Sequence, residues 1–324
     1  MLQQPIQWQD GYVIPPTAPG LGVELNEAVL AAHPYQDSSP ASRHAGHSLL
    51  RVSAMSSDPA QAAGTCDYLI IGAGSAGCVL ASRLSAQRQN RVLLLEAGGS
   101  DLSPWLQIPL GYGRSFYDPR VNWMYDTEAE PGLQQRQGYW PRGKVLGGSG
   151  SINAMVWMRG LPLDFERWAA AGNPGWGWDE VLATYQRIEQ AGGDRKARQE
   201  RDGRLCITPL NADSAHPLNQ TFFSAARQCG FTHTADLNGA QPEGVGYYAF
   251  NIRKGWRDST VNACLRPVLN RANLDIRLQA QVTRILFAER DTDQATARDR
   301  CRVSENGRYH RVTARLGVIL CGGR

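Results

Sequence analysis

The sequence predicts an α/β fold built on a doubly wound parallel sheet, with a partial α+β segment inserted into it. Three observations predict it. An apolar run at 68–71 (Tyr-Leu-Ile-Ile) leads into Gly72-Ala73-Gly74-Ser75-Ala76-Gly77. A helical pattern follows over 77–87, with Val79, Leu80 and Leu84 apolar and Ala76 and Ala81 small. A second apolar run, 91–96, then completes a strand–helix–strand unit. Short strands that are apolar on both faces belong to parallel sheets covered by helices.

The remaining elements follow in order. Residues 100–140 are rich in Gly, Pro and aromatics without a clear period and read as a long excursion. A helix is predicted over 179–190, a polar loop over 191–203 and a strand over 205–209. A second helix, 217–229, is ended by Gly230, and a third spans 260–270. Strands are predicted at 273–277, 282–288, 300–304 and 311–320. The division is therefore a tail (1–54), a first nucleotide-binding part with its excursion (55–165), a partial cap (166–255) and a return segment (256–324).

Composition narrows the function classes. The formal charge of +4 is mild, and the densest basic stretch, 195–204, is interleaved with Glu200 and Asp202, so it reads as a solvated loop and not a nucleic-acid surface. No apolar run approaches the roughly 20 residues of a membrane span, and the first residues lack the pattern of a secretory signal. The seven cysteines include no C-x-x-C pair. They read as reduced thiols of a cytoplasmic protein, with no disulfide frame or zinc site.

The first glycine segment has the context that gives G-x-G-x-x-G its meaning. It follows a strand, opens a helix and has Glu96 at the end of the next strand. Gly72 allows the tight turn, Gly74 lets backbone amides approach a pyrophosphate, with Ser75 and Ala76 following at the helix start, and Gly77 lets helix and strand pack closely. Glu96 would accept hydrogen bonds from the ribose hydroxyls, which argues against a 2′-phosphate. This motif alone does not choose between NAD and FAD.

A second segment, 139–160 (Tyr-Trp-Pro-Arg-Gly-Lys-Val-Leu-Gly-Gly-Ser-Gly-Ser-Ile-Asn-Ala-Met-Val-Trp-Met-Arg-Gly), resembles the first signature of the glucose–methanol–choline (GMC) oxidoreductases. So do 122–125, 128–133, 172–178, 255–259 (Gly-Trp-Arg-Asp-Ser) and Leu265-Arg266-Pro267 with 271–274, and the resemblance covers about 66–324. It implies a Rossmann-like FAD-binding domain and oxidation of CH–OH groups, as in alcohol or choline-type dehydrogenases. The partners of the complete enzyme would be a small alcohol and a quinone-like acceptor or O2. Gly147, Gly148, Ser149 and Gly150 carry almost no side chain, so their backbone can lie against a flat ring system; by resemblance, Val145, Asn153, Ala154, Met155 and Val156 contact the flavin, and Val282 packs by the adenine. The position of Asn153 is a histidine in members that bind FAD covalently, so FAD is expected to be non-covalent. Gly150 replaces the serine of many members.

The resemblance also sets what is missing. Family members take their catalytic histidine and its His or Asn partner from a carboxy-terminal segment with no counterpart here. His216, His233 and His310 do not match those positions, so no catalytic residue is assigned. The expectation is a truncated chain that is inactive alone, with unpartnered apolar strand faces; the alternative is a fused or inert fragment. Trp123, Trp140, Trp157, Trp168, Trp176 and Trp178 read as packing surface in preference to a substrate cage. In the tail, 10–13 and 19–24 resemble the extreme carboxy-terminus of sugar-acid dehydratases of the mandelate racemase type. Residues 1–54 are thus either a foreign tail, with Met55 as the natural start, or a disordered extension, and no chemistry is assigned to His33, His44 or His47.

Overall fold

The computed structural model describes residues 8–9, 12–13, 64–191, 204–239, 242–286, 300–305 and 308–323. The chain divides into two compact units, 1–47 and 48–324. In the first, a short antiparallel ladder pairs Trp8 with Val13 and Gln9 with Tyr12. The rest of the tail, including its histidines, lies outside the described residues, as do Met55 and residues 192–203 of the loop expected over 191–203.

The second unit opens with β1 (Thr65–Ile71), α1 (Ser75–Leu84) and β2 (Val92–Leu95). The excursion that follows holds two single-turn helices, α2 (Pro104–Gln107) and α3 (Tyr112–Ser115), and a hairpin of β3 (Tyr125–Asp126) with β4 (Tyr139–Trp140). Next come β5 (Val156–Trp157), α4 (Pro162–Ala170), α5 (Trp178–Ile188), β6 (Glu189–Ala191), β7 (Leu205–Pro209), α6 (Leu218–Gln228), β8 (Ala249–Arg253) and β9 (Trp256–Arg257). The last strands are β10 (Leu274–Arg277), β11 (Ala280–Leu286), β12 (Arg300–Glu305) and β13 (Arg308–Leu320).

The main sheet runs β10-β2-β1-β13-β12-β11. Its first four strands are mutually parallel and its last three form an antiparallel meander. Burial on both faces explains the uninterrupted apolar runs. Ile70, Val92, Leu94 and Ile276 pack with Cys78, Ala81, Val261 and Leu265 on one side. Leu69, Leu93 and Leu95 pack with Cys301, Val303, Val312 and Ala314 on the other. Each such aliphatic side chain contributes about 1.5–3 kcal/mol relative to exposure. β13 serves two partners, pairing with β12 through 308–313 and with β1 through 313–320.

The second sheet runs β9-β8-β7-β6, with β5 also on β8. α4 and α5 carry an aromatic cluster in which Phe165 meets Trp168, Trp178 and Tyr185. Trp157 packs edge-on against Tyr185, and Trp168 against Trp176.

Two differences from the sequence reading have physical causes. The helix expected over 260–270 is a π turn, Val261–Leu265, followed by a 3-10 turn, Arg266–Val268. Pro267 has no N–H to donate and its ring blocks the preceding turn, so a regular α-helix stops there. The strand β8 escaped notice because its pattern is inverted: Asn251 and Arg253 are buried, while Phe250 and Ile252 are only half-buried. Five of the seven cysteines are buried as free thiols, whereas Cys229 is exposed and Cys321 half-buried.

Candidate functional site

The first glycine segment joins β1 to α1. Gly72 is left-handed (φ +94°), and its N–H donates to the Leu95 carbonyl at 2.8 Å. A Cβ at Gly77 would stand on the Gly72 carbonyl oxygen, so the helix lies against its own turn as only glycine permits. α1 has no side-chain cap and no acidic residue in its first turn. Its exposed first residues, Ser75 and Ala76, thus leave backbone donors and the positive helix end open to an anion.

Glu96 closes one side of this turn. It is buried, and its two carboxylate oxygens accept from the Ala73 and Gly98 amides, each at 2.8 Å. Burial pushes its carboxyl above the ordinary range, against the lowering effect of the two amides and of the Lys144 charge. The entry to β11 docks here too, since the Ala280 N–H donates to the Glu96 carbonyl at 2.8 Å. Val282, two residues on, is half-buried against the β1–β13 side of the core.

The second glycine segment has little regular structure of its own and is laid onto the first. Gly147 N–H donates to the Ala73 carbonyl at 2.7 Å, and Leu146 N–H to the Gly99 carbonyl at 2.9 Å. Gly148 is left-handed (φ +56°), and a Cβ there would lie 2.9 Å from the Gly74 Cα. A Cβ at Gly150 would come within 2.6 Å of Ser75 Oγ. The two segments thus form one cradle walled by backbone. Beneath it, Val145 is enclosed with Leu106 and Ile152.

Beyond Gly150 the chain turns at Asn153. Asn153 Oδ1 accepts from the Met155 N–H at 3.0 Å and from Arg257 Nη1 at 2.8 Å. Met155 is held left-handed (φ 62°) and buried, a conformation of the kind retained only where surrounding contacts impose it. Its carbonyl accepts from the Asn251 N–H at 3.1 Å. Asn153 and Val156 are exposed and Ala154 half-buried.

The expected residues are therefore placed as follows. Gly72, Gly74, Ser75, Ala76, Gly77, Glu96, Gly147 and Gly148 meet in one cradle. Asn153, Ala154, Met155 and Val156 continue its rim, and Val145 lies under it. Val282 stands on the strand that docks at Glu96.

The sequence reading gave no role to Gly98 or Asp101, and took Arg257 only as part of the matching segment 255–259. A Cβ at Gly98 would collide with the Lys144 backbone. Asp101, fully buried, holds Arg266 Nη2 through both oxygens at 2.7 Å and receives Gln107 Nε2. The pair Gly98-Gly99 directly after β2 was the available signal for close approach. None of the three described histidines touches the cradle. His216 Nδ1 accepts from the Leu218 N–H, His233 stacks edge-on against Phe223, and His310 pairs with Val303. Of the six tryptophans singled out from the sequence, Trp123 stacks on Tyr125 and Trp140 on the Arg142 guanidinium, while Trp157, Trp168, Trp176 and Trp178 join the α4–α5 cluster.

Comparison with known proteins places these residues among relatives. Residues 66–324 match the family model described as GMC oxidoreductase. The chain is 42% identical over 225 residues to an alcohol dehydrogenase [acceptor] of Pseudomonas putida, covering 69% of this chain and 40% of that protein. It is 39% identical over 263 residues to the mitochondrial choline dehydrogenase of Mus musculus, covering 79% and 43%. Among solved structures, pyridoxine 4-oxidase from Mesorbium loti superposes with a TM-score of 0.69 at 34% identity, covering 80% of this chain and 49% of that one. Formate oxidase, at 24% identity and a TM-score of 0.69, shares the fold. The chain spans less than half the length of the relatives it matches.

Proposed function

The chain belongs to the GMC oxidoreductase family, and on that premise we propose that it forms the flavin-side half of an FAD-dependent oxidoreductase acting on CH–OH groups of a small alcohol. The observation that carries the reading is the single cradle made by two glycine segments some seventy residues apart. A bare dinucleotide turn would need only the first. The second covers it with backbone where side chains would obstruct a flat ring system.

The residues present fit the cofactor. The uncapped start of α1, at Ser75 and Ala76, would hold the pyrophosphate. Glu96, its own position fixed by the Ala73 and Gly98 amides, would hold the ribose hydroxyls. Val282 would hold the adenine, and Gly147, Gly148 and residues 153–156 the ring system, with Val145 packed beneath them. When bound, FAD supplies the hydride acceptor for an alcohol carbon. The chain's own contribution is binding, orientation and electrostatic tuning. Asn153 cannot form a histidyl link, so the cofactor is held without a covalent bond. The names of the relatives, an alcohol dehydrogenase using an acceptor and choline dehydrogenases, support an alcohol substrate and an external electron acceptor.

A general base must reach the hydroxyl proton directly. No described histidine touches the cradle, so residues 66–324 are expected to bind flavin without oxidising alcohol by themselves. An NAD-linked reading is disfavoured because nothing in the second segment suits a nicotinamide in preference to a flavin.

The test is to purify the chain with FAD, pass it through a sizing column and record the visible spectrum before and after denaturation. A flavin band that co-elutes with monodisperse protein and is released on unfolding supports the reading. A protein that elutes folded and colourless overturns it, and a band retained after denaturation overturns the non-covalent part. Dye-linked alcohol oxidation by this chain would overturn the expectation of no turnover.

A further inference from the structure

Among the described residues, the largest fully buried side chain is a cation that forms no ion pair. Arg257, on β9, is 2% exposed. Its Nε donates to the Leu106 carbonyl at 2.8 Å, and Nη1 donates to the Gly150 carbonyl at 3.2 Å and to Asn153 Oδ1 at 2.8 Å. Nη2 is buried without a partner among the described residues. The neighbouring arginines differ: the buried Arg253 pairs with Asp258, and the half-buried Arg266 with the buried Asp101. Burying an unpaired guanidinium costs stability, and every hydrogen bond it makes here is to a neutral oxygen. Burial alone lowers its pKa to about 10, so it stays charged at neutral pH.

Its contacts tie three parts of the chain together: α2, the end of the second glycine segment, and the hairpin β8–β9. Gly150 also abuts Ser75, the first residue of α1. Asn153 in turn fixes the left-handed Met155. One side chain therefore determines where the rim of the cradle lies relative to its phosphate end.

We propose that Arg257 is a positioning residue for the ring end of the cradle, holding the Gly150 carbonyl and the Asn153 amide in place and setting a positive potential behind them. The inference rests on the FAD reading above. A positive potential there favours the more negatively charged, reduced form of a bound flavin and so raises its midpoint potential. ADP, which lacks the isoalloxazine, draws on the first glycine segment, Glu96 and Val282, none of which Arg257 contacts.

The test compares the full chain with Arg257→Met and Arg257→Lys, titrating each with ADP and with FAD and measuring the midpoint potential of bound FAD. In both variants ADP affinity should stay within about twofold, while FAD affinity falls about tenfold or more, as expected when a charged donor to buried oxygens is lost or misplaced. The midpoint potential should drop in Arg257→Met and lie between that and the parent in Arg257→Lys. Equal losses of ADP and FAD affinity in both variants would mean that Arg257 only holds the fold, and would overturn the proposal. Unchanged FAD affinity and potential would overturn it as well. Should Arg257→Met fail to fold, Arg257→Lys decides by the same criteria. A parent chain that binds ADP but not FAD would instead refute the FAD reading, and this inference with it.

Discussion

The two glycine segments are alike in their richness in glycine and serine but are held by different means. Residues 72–77 sit between a strand and a helix, and the groups that shape their turn, Leu95, Glu96 and Gly77 itself, lie within 24 positions along the chain, with Gly147 and Cys321 packed on from farther away. Residues 143–153 have only a short 3-10 turn, Gly148–Ser151, and are held chiefly by more distant residues: Ala73, Gly99 and Arg257. The first is a local motif whose shape follows from secondary structure. The second is a loop whose shape is lent to it by tertiary contacts. A glycine-rich sequence is thus compatible with either regime, and what surrounds it decides which applies.

Four substitutions break or sharpen this contrast. The largest effect is expected from Asp101→Ala, which strips the buried partner from Arg266 and loosens the loop that carries Val145 and Leu146. Removing one member of a buried pair costs about 3–5 kcal/mol, and urea unfolding should report a loss of that order. Gly77→Ala comes next. It forces a methyl onto the Gly72 carbonyl and attacks the local motif from within. A loss of about 3 kcal/mol is expected from such overpacking, with ADP and FAD binding failing together in a fluorescence titration.

Gly148→Ala is milder and more selective. It strains a left-handed residue and presses 2.9 Å from the Gly74 Cα. A cost of about 1–2 kcal/mol should appear as weaker FAD binding with ADP binding nearly unchanged. Equal effects on both ligands would show that the segments do not act separately.

The smallest effect is expected from Glu96→Gln, read through pH. Because burial raises the Glu96 carboxyl, the native chain keeps a proton that the unfolded chain releases. Stability without ligand should therefore fall as pH rises from the ordinary carboxylate value through the raised native one. Glu96→Gln cannot ionise and should flatten that slope in urea midpoints, while nucleotide affinity drops about tenfold through loss of the charged acceptor. An unaltered slope would mean that Glu96 does not titrate in this window.

Local chemistry was readable along the chain. The strand–turn–helix with Glu96 at the next strand end, and the burial of 92–95 on both faces, follow from residues adjacent in sequence. The resemblance of 139–160 to a family signature marked the second segment without any account of its shape. The helix expected at 260–270 failed on one residue, Pro267. β8 failed because its polar side chains point inward, where Arg253 meets Asp258 and Asn251 reaches the Asp258 carbonyl. No rule of alternation anticipates a buried ion pair, even one whose members lie five residues apart across a hairpin.

The amino-acid sequence by itself thus determined the α/β class, the dinucleotide turn and the residues of the cradle. These depend on backbone freedom and apolar periodicity, which each short stretch carries on its own. Only the tertiary structure decided that the second glycine segment lies on the first, that Asn153 is locked into a turn, and that Arg257 is buried without a counter-charge. Those depend on which groups meet across about 70 to 150 residues of chain, and a solvated arginine and a buried one are written with the same letter.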